Sequence, residues 1–442
     1  MESIENSYGR LLLESQLPDS ARQLAQPLKS VVISRGKMIC QRCHYQLDEE
    51  ARLPSGAYYC RFCLVFGRNQ SDKLLYAIPP MHFPKGNYLV WSGQLTAYQE
   101  MISQQLLINM QNQKTTLVHA VTGAGKTEMI YAAIEAVINT GGWVCIASPR
   151  VDVCVEVATR LSQAFSCSIC LMHAESLPYQ RAPIIIVATT HQLLKFHKAF
   201  DLLIIDEVDA FPFVNNIQLH YAASQALKEG GAKILLTATS TRTLERKVNK
   251  GEVVKLTLAR RFHNRPLVIP KFIRSFNLFK MIHRQKLPPK ILKYLKKQRK
   301  TGYPLLIFLP TIIMAESVTA ILKELLPAEQ IACVSSQSQN RKEDITAFRQ
   351  GKKTILITTT ILERGVTFPQ IDVFVLGSHH RVYSSQSLVQ IAGRVGRSID
   401  RPDGTLYFFH EGISKAMLLA RKEIKEMNYK GYSHDLSTMS TN

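Results

Sequence analysis

The sequence predicts an α/β protein: two tandem domains built on parallel sheets, preceded by a small cysteine-rich module. Three observations predict it. Apolar runs alternate with helical patterns twice along the chain, four cysteines recur at matched spacing near its start, and a strongly basic stretch separates the two alternating halves. A length of 442 residues exceeds what one core comfortably holds and suits two or three domains. At 46% hydrophobic the chain can bury a large core, which excludes wholesale disorder.

Residues 1–35 read as a polar, weakly helical leader, and residues 36–87 as a cysteine module with its linker. Cys40, Cys43, Cys60 and Cys63 form C-x2-C-x16-C-x2-C. Two such turns can each offer two thiolates to one tetrahedral ion, at the spacing of a zinc ribbon. Unliganded thiols or a redox pair are the alternatives, and four cysteines at matched spacing weigh against both. A closed four-thiolate site leaves no position for water, so Zn2+ here is expected to be structural. His44 is a substitute ligand in principle, and the arginines around the cluster leave a DNA contact open. Cys167 and Cys170 form a second C-x2-C without a matching pair; with Cys145, Cys154 and Cys333 they are read as core thiols.

Residues 88–265 carry the first alternation: TTLVHAV, GWVCIAS, PIIIVAT, DLLIIDE and AKILLTAT are expected strands of a buried parallel sheet. The run Ala120-Val-Thr-Gly-Ala-Gly-Lys-Thr127 follows the first of them and opens a helical pattern, the setting of a phosphate-binding loop. Thr122, Gly123, Ala124, Gly125 and Glu128 would surround the phosphates, with backbone amides facing the anion. Lys126 would reach the β- and γ-phosphates, and Thr127 would ligate Mg2+. Downstream, Asp206-Glu-Val-Asp209 ends an apolar strand, where a metal and an attacking water belong. Asp206 would hold Mg2+ and Glu207 would activate the water; Asp209 receives no independent role.

The same rhythm returns over 301–442 in YPLLIFLP, QIACVSS, KTILITTT, VFVLGS and GTLYFFH. Near its end, Gln390-Ile-Ala-Gly-Arg-Val-Gly-Arg397 places two arginines three residues apart on one face. Planar guanidinium groups suit the charge that develops on a transferring phosphoryl group.

Taken together, AxTGAGKT, DEVD, Thr237-Ala-Thr239, Thr359-Thr-Ile-Leu-Glu-Arg-Gly365 and QIAGRVGR resemble, in order and spacing, the motor of superfamily 2 helicases. The resemblance covers about residues 88–410. It implies two RecA-like domains that hydrolyse ATP between them, with Arg394 and Arg397 as arginine fingers and single-stranded nucleic acid bound across both. It also implies that Gln99 of Leu95-Thr-Ala-Tyr-Gln99 senses adenine. Arg150, Thr189 and Thr190 would contact DNA, and Thr237, Thr239, Thr359, Arg364, Gly365 and Gln390 would couple the two sites. The four-cysteine module and the string LLIIDEVDAFPF are similar to the ComFA family of late competence ATPases. That likeness implies a cytoplasmic ATPase moving imported single-stranded DNA at the inner face of the cell membrane. Its implied partners are the channel ComEC and the protein ComFC, and oligomers are allowed. DEVD departs from DEAD and DEAH, and motif VI begins with Gln390 rather than His. No wedge insertion is visible, which favours translocation over strand separation.

The formal net charge is +21, yet residues 242–300 alone hold 19 Lys or Arg against Glu245 and Glu252, a net of +17. The stretch 266–300 is therefore expected to be a basic connector. Lys293, Lys296, Lys297 and Lys300 are its candidate phosphate contacts, and Phe262, Phe272, Phe276, Phe279 and Tyr294 its candidate stacking platforms. A solvated linker face and an anionic membrane surface are the other readings. The acidic N-terminus lacks a signal-peptide core, and no run approaches 18 uncharged apolar residues; a soluble intracellular protein is expected. Duplex unwinding and a non-hydrolysing, ATP-switched adaptor remain alternative functions.

Overall fold

The computed structural model describes residues 4–439. Where a leader was expected, the strands β1 (Leu11–Leu13) and β2 (Gln26–Lys29) flank β5 (Leu74–Ala77) in a three-stranded antiparallel sheet. Residues 11–29 thus belong to the module, because Leu11 and Leu13 bury their side chains against Leu75 and Ala77. Between these strands lies the hairpin β3 (Val31–Ser34) and β4 (Lys37–Cys40), whose last residue is the first cysteine of the cluster.

The chain falls into two units: residues up to 119 with 126–257, and 120–125 with 258 onward. The first holds a seven-stranded sheet. Its strands are β6 (Thr116–Ala120), β7 (Val144–Ser148), β8 (Ile169–Met172), β9 (Ile185–Thr189), β10 (Phe200–Ile205), β11 (Leu227–Thr237) and β12 (Val254–Leu258). The spatial order is β12-β6-β11-β10-β7-β9-β8, and β6, β11, β10, β7, β9 and β8 pair in parallel. Every residue of β6, β7 and β9 is buried, as a parallel sheet covered on both faces requires. The helices are α1 (Ala97–Gln111), α2 (Lys126–Met129), α3 (Tyr131–Ile138), α4 (Val151–Ala164), α5 (Ile217–Ala226) and α6 (Arg242–Asn249).

The second unit is a six-stranded, all-parallel sheet of β13 (Lys271–Arg274), β14 (Leu305–Phe308), β15 (Ile331–Val334), β16 (Ile355–Thr358), β17 (Asp372–Leu376) and β18 (Leu406–His410). Its order is β13-β18-β17-β14-β16-β15. Its helices are α7 (Leu278–His283), α8 (Pro289–Arg299), α9 (Ile312–Leu325), α10 (Arg341–Arg349), α11 (Ser385–Ala392) and α12 (Lys415–Met439).

Residues 266–300 are not a connector. They supply the edge strand β13 and the helices α7 and α8; Leu278, Ile282, Ile291 and Leu295 of these helices, and Leu287 between them, enter one core with Leu305, Ile307, Phe374 and Phe409. Each such side chain contributes about 1.5–3 kcal/mol on burial, so α8 is held by its apolar stripe while its cations face outward. The candidate stacking aromatics divide accordingly. Phe272, Phe279 and Tyr294 pack against Phe408, His379 and Tyr407, whereas Phe276 and Phe262 stay exposed.

Candidate functional site

The four cysteines converge. All are fully buried, their Sγ atoms lie within 4.8 Å of one another, and the closest pairs stand at 3.4 Å (Cys43–Cys60) and 3.8 Å (Cys40–Cys63). A tetrahedron of thiolates at a Zn–S length of about 2.3 Å has edges of about 3.8 Å, so the donor set fits Zn2+. Asn69 donates from Nδ2 to Cys40 Sγ at 3.2 Å, the outer contact that orients a ligand. The buried Arg42 guanidinium, held by the carbonyls of Phe66 and Leu11 at 3.2 Å each, sets a positive charge beside the thiolates. His44 is no ligand; its ring stacks on Tyr221 of α5 at 4.8 Å, and the Tyr221 hydroxyl donates to the Gln41 carbonyl at 3.3 Å. The cysteine turn is thereby seated on the first unit. Of the other cysteines, Cys145 and Cys154 are core thiols whose pKa burial raises, while Cys167, Cys170 and Cys333 are half-buried.

The candidate phosphate-binding loop runs from the end of β6 to the start of α2. Gly123 and Gly125 adopt φ of +80° and +76°, a left-handed path that a side chain would resist. His119, one residue before the strand ends, is kept neutral: burial and then Lys255 draw its pKa down to about 4. Lys126 and Thr127 open α2 and remain partly accessible. Glu128 turns elsewhere, pairing with Arg160 of α4 at 3.3 Å. Gln99 caps its own helix, its Oε1 accepting the Thr96 amide at 2.8 Å while the Thr96 hydroxyl accepts the Gln99 amide.

The acidic pair follows β10. Asp206 is anchored by its amide to the Ala147 carbonyl at 2.8 Å, and Glu207 takes a left-handed φ of +54°. Asp209, to which the sequence motif gave no independent role, ties this turn to β11. Its carboxylate accepts the Thr237 hydroxyl at 2.8 Å and the Thr239 hydroxyl as well, and the Thr239 amide donates back to Thr237 Oγ1 at 3.0 Å. Because β6, β11 and β10 are neighbours, the loop, the threonines and the acids share one sheet edge. Arg150 stands just before α4 and after β7, on the same edge. Thr189 and Thr190, expected to contact DNA, are 8% and 0% exposed, because Thr190 opens a 3-10 turn on which α5 packs.

In the second unit the motif residues brace one another. Thr359 precedes the turn Thr360–Leu362, and the carboxylate of the following Glu363 accepts the hydroxyl of Ser387 on α11. Arg394 is buried, with Nη1 on the Val366 carbonyl just past Arg364 and Gly365 and its charge over the Phe368 ring at 5.9 Å. Gln390 is buried on α11, and Arg397 stays partly accessible with Nε on the Gly393 carbonyl at 2.8 Å. Arg261, unmarked in the sequence, buries its guanidinium against the carbonyls of Gly393 and Gly396, fixing the turn between the two arginines.

Lys293, Lys296, Lys297 and Lys300 line an open groove of about 460 Å³ on α8 with Pro289 and Leu292. The last turn of α8 is tied to strand beginnings: Gln298 donates to Asp372, the first residue of β17, at 2.8 Å, and Arg299 pairs with Glu329, just before β15, at 2.8 Å. The motif segment 359–365 follows the opposite, C-terminal end of β16.

Residues 96–247 match the DEAD/DEAH box helicase family and residues 286–398 the helicase conserved C-terminal domain. The chain is 54% identical over 420 residues to the competence protein ComFA of Streptococcus pneumoniae, covering 95% of this chain and 97% of that one. It is 37% identical over 407 residues to ComFA of Bacillus subtilis, at 90% and 87% coverage. The chain belongs to the ComFA family. It is a helicase-like enzyme of superfamily 2. Its fold is shared with yeast Dbp5 bound to RNA and ADP BeF3 (16% identity, TM-score 0.56, 75% of this chain and 91% of that one). It is also shared with RecG bound to a three-way DNA junction (16%, 0.54, 80% and 47%). Among the described residues no helix is long and apolar enough to cross a membrane.

Two predictions follow from these contacts. Cys43→Ser should reduce bound zinc, measured by elemental analysis, from about one ion per chain to a small fraction, and should lower the melting temperature. Full zinc occupancy in this variant would exclude the four-thiolate centre. Asp209→Ala and Thr237→Ala, combined in a double-mutant cycle by urea unfolding, should show a coupling of about 1.5–3 kcal/mol. Simple additivity would mean that the Asp209 hydrogen bond contributes nothing.

Proposed function

We propose that this chain is a DNA-dependent ATPase that moves single-stranded DNA during competence DNA uptake. The observation that carries the reading is the phosphate loop, the acidic pair and Thr237–Thr239 on one sheet edge, in a chain of the ComFA family. Lys126 would hold the phosphates, Thr127 and Asp206 would hold Mg2+, and Glu207 would activate the attacking water. Arg394 and Arg397 would sense the γ-phosphate when the two units close on ATP. Asp209 gives the nucleotide state a route to β11, and the bracing around Glu363 and Arg394 gives the second unit a matching one. Alternating grip on the strand then becomes directed movement. The family implies a cytoplasmic site at the membrane and ComEC and ComFC as partners; these belong to the proposal.

ATP hydrolysis titrated with single-stranded DNA, tailed duplex and RNA tests the reading. Single strands should stimulate most, and Lys126→Ala or Glu207→Gln should abolish the stimulated rate. Full activity in either variant would sink the assignment, and efficient unwinding of the tailed duplex would favour a helicase.

The lysine face of α8 we assign to phosphates of the strand beyond the motif edge. Replacing Lys293, Lys296, Lys297 and Lys300 by Gln should weaken binding to all sequences alike. The slope of log affinity against log salt should fall by about 0.7 per lost contact. An unchanged slope would remove these lysines from the DNA path.

A further inference from the structure

The segment between the acidic pair and α5 reads Asp209-Ala-Phe-Pro-Phe213, and its two phenylalanines are treated oppositely. Phe213 is 1% exposed and packs against His220 of α5 at 4.4 Å between ring centroids. Phe211 is 84% exposed. A lone exposed apolar side chain is ordinary on a protein surface; the support under this one is not. Val208, Asp209 and Ala210 are all buried, Asp209 is bonded to Thr237 and Thr239, and Phe213 closes the far end. The ring therefore projects from a short segment fixed on both sides.

The two anchors lead to different places. Upstream, three residues separate Phe211 from Glu207, the residue assigned to activate water. Downstream, the segment enters α5, which packs on the 3-10 turn Thr190–Lys195 that follows β9. The strand tip between them, at the end of β7, carries Arg150. Phe211 thus stands on a link between the hydrolytic acids and the cationic part of the same sheet edge. The other exposed phenylalanines have partners: Arg274 covers Phe276 at 4.6 Å, and His263 meets Phe262 at 5.0 Å. Among the described residues no ring or cation covers Phe211.

We propose that Phe211 stacks on a base of the bound single strand and that the segment Asp209–Phe213 carries this contact to the acidic pair. The proposal rests on the single-strand reading above. An aromatic face on a fixed support, on a sheet edge that also carries a cation, is an arrangement that grips single strands irrespective of sequence. Ring and phosphate contacts then act together: Arg150 attracts the backbone and Phe211 requires an unstacked base, which distinguishes a single strand from a duplex.

The test uses the full-length protein with Phe211→Ala and Phe211→Trp and a fluorescently labelled oligo-dT. Both changes lie at an exposed position, so both variants should melt with the wild type. Phe211→Ala should weaken binding roughly ten-fold and raise the DNA concentration needed for half-maximal ATPase stimulation. On a strand bearing abasic sites, which keeps the phosphates and removes the bases, the difference between variant and wild type should vanish. Phe211→Trp should retain affinity, and its added emission, over that of Trp91 and Trp143, should be quenched by oligo-dT. If the wild type responds to oligo-dT while Phe211→Ala binds equally well and the new tryptophan is unquenched, the stacking role is overturned alone. If the wild type itself neither binds nor responds to single strands, the reading beneath it falls as well.

Discussion

A strand buried on both faces has nowhere to carry chemistry except its ends, and this constraint organises the molecule. Every residue of β6, β7 and β9 is buried, as are those of β14, β16 and β17. Polar side chains in those strands would lose water without compensation. Because the strands are parallel, their C-terminal ends fall on one edge of each sheet, and residues distant in sequence meet there. Lys126, Asp206, Thr237 and Arg150 lie up to 111 positions apart yet follow four strands of one sheet.

An edge of separate turns would be only a collection, and the structure joins them with buried carboxylates and guanidinium groups. Asp209 binds two hydroxyls of the neighbouring strand's tip, so the turn after β10 cannot shift without disturbing that after β11. In the other unit Glu363, Arg394 and Arg261 tie three turns together through one hydroxyl and three carbonyls. Buried charges are costly unless fully bonded. Such groups therefore fasten the turns they bond to one another.

How much of this could be read from the chain depends on the range of the interaction. The ten apolar runs flanked by turn residues are all strands, since burial on both faces leaves an unbroken apolar signature. The edge strands β12 and β13, Val254–Leu258 and Lys271–Arg274, were hidden because half-buried strands with outward lysines resemble a basic coil. The strands of the presumed leader escaped because β1 and β2 are short and gain their partner β5 only from distant residues. The cysteine spacing and the phosphate loop were legible because both are local patterns. Asp209 and Arg261 were not, since their roles depend on partners 28 to 135 positions away. Burial of Thr190 likewise follows from the packing of α5, which no local pattern encodes.

The charge excess takes on a different meaning once residues 266–300 are part of a domain. From Val253 to Ala315 the chain contains no Asp or Glu, so this region's cations can pair only with carboxylates outside it, as Arg299 does with Glu329. Part of that bias has a structural explanation: Lys296, Lys297 and Arg299 occupy the last turn of α8, where the helix dipole favours positive charge. That effect extends only over a terminal turn, and it does not reach Lys293. Nor does it account for four lysines bordering one groove beside Leu292. Mutual repulsion among them is tolerated at little cost in water, because long side chains spread and salt screens them. It becomes favourable only when a polyanion shares their counter-charge. The apolar face of α8 is therefore sufficient for folding, and its basic face is better explained by binding than by stability.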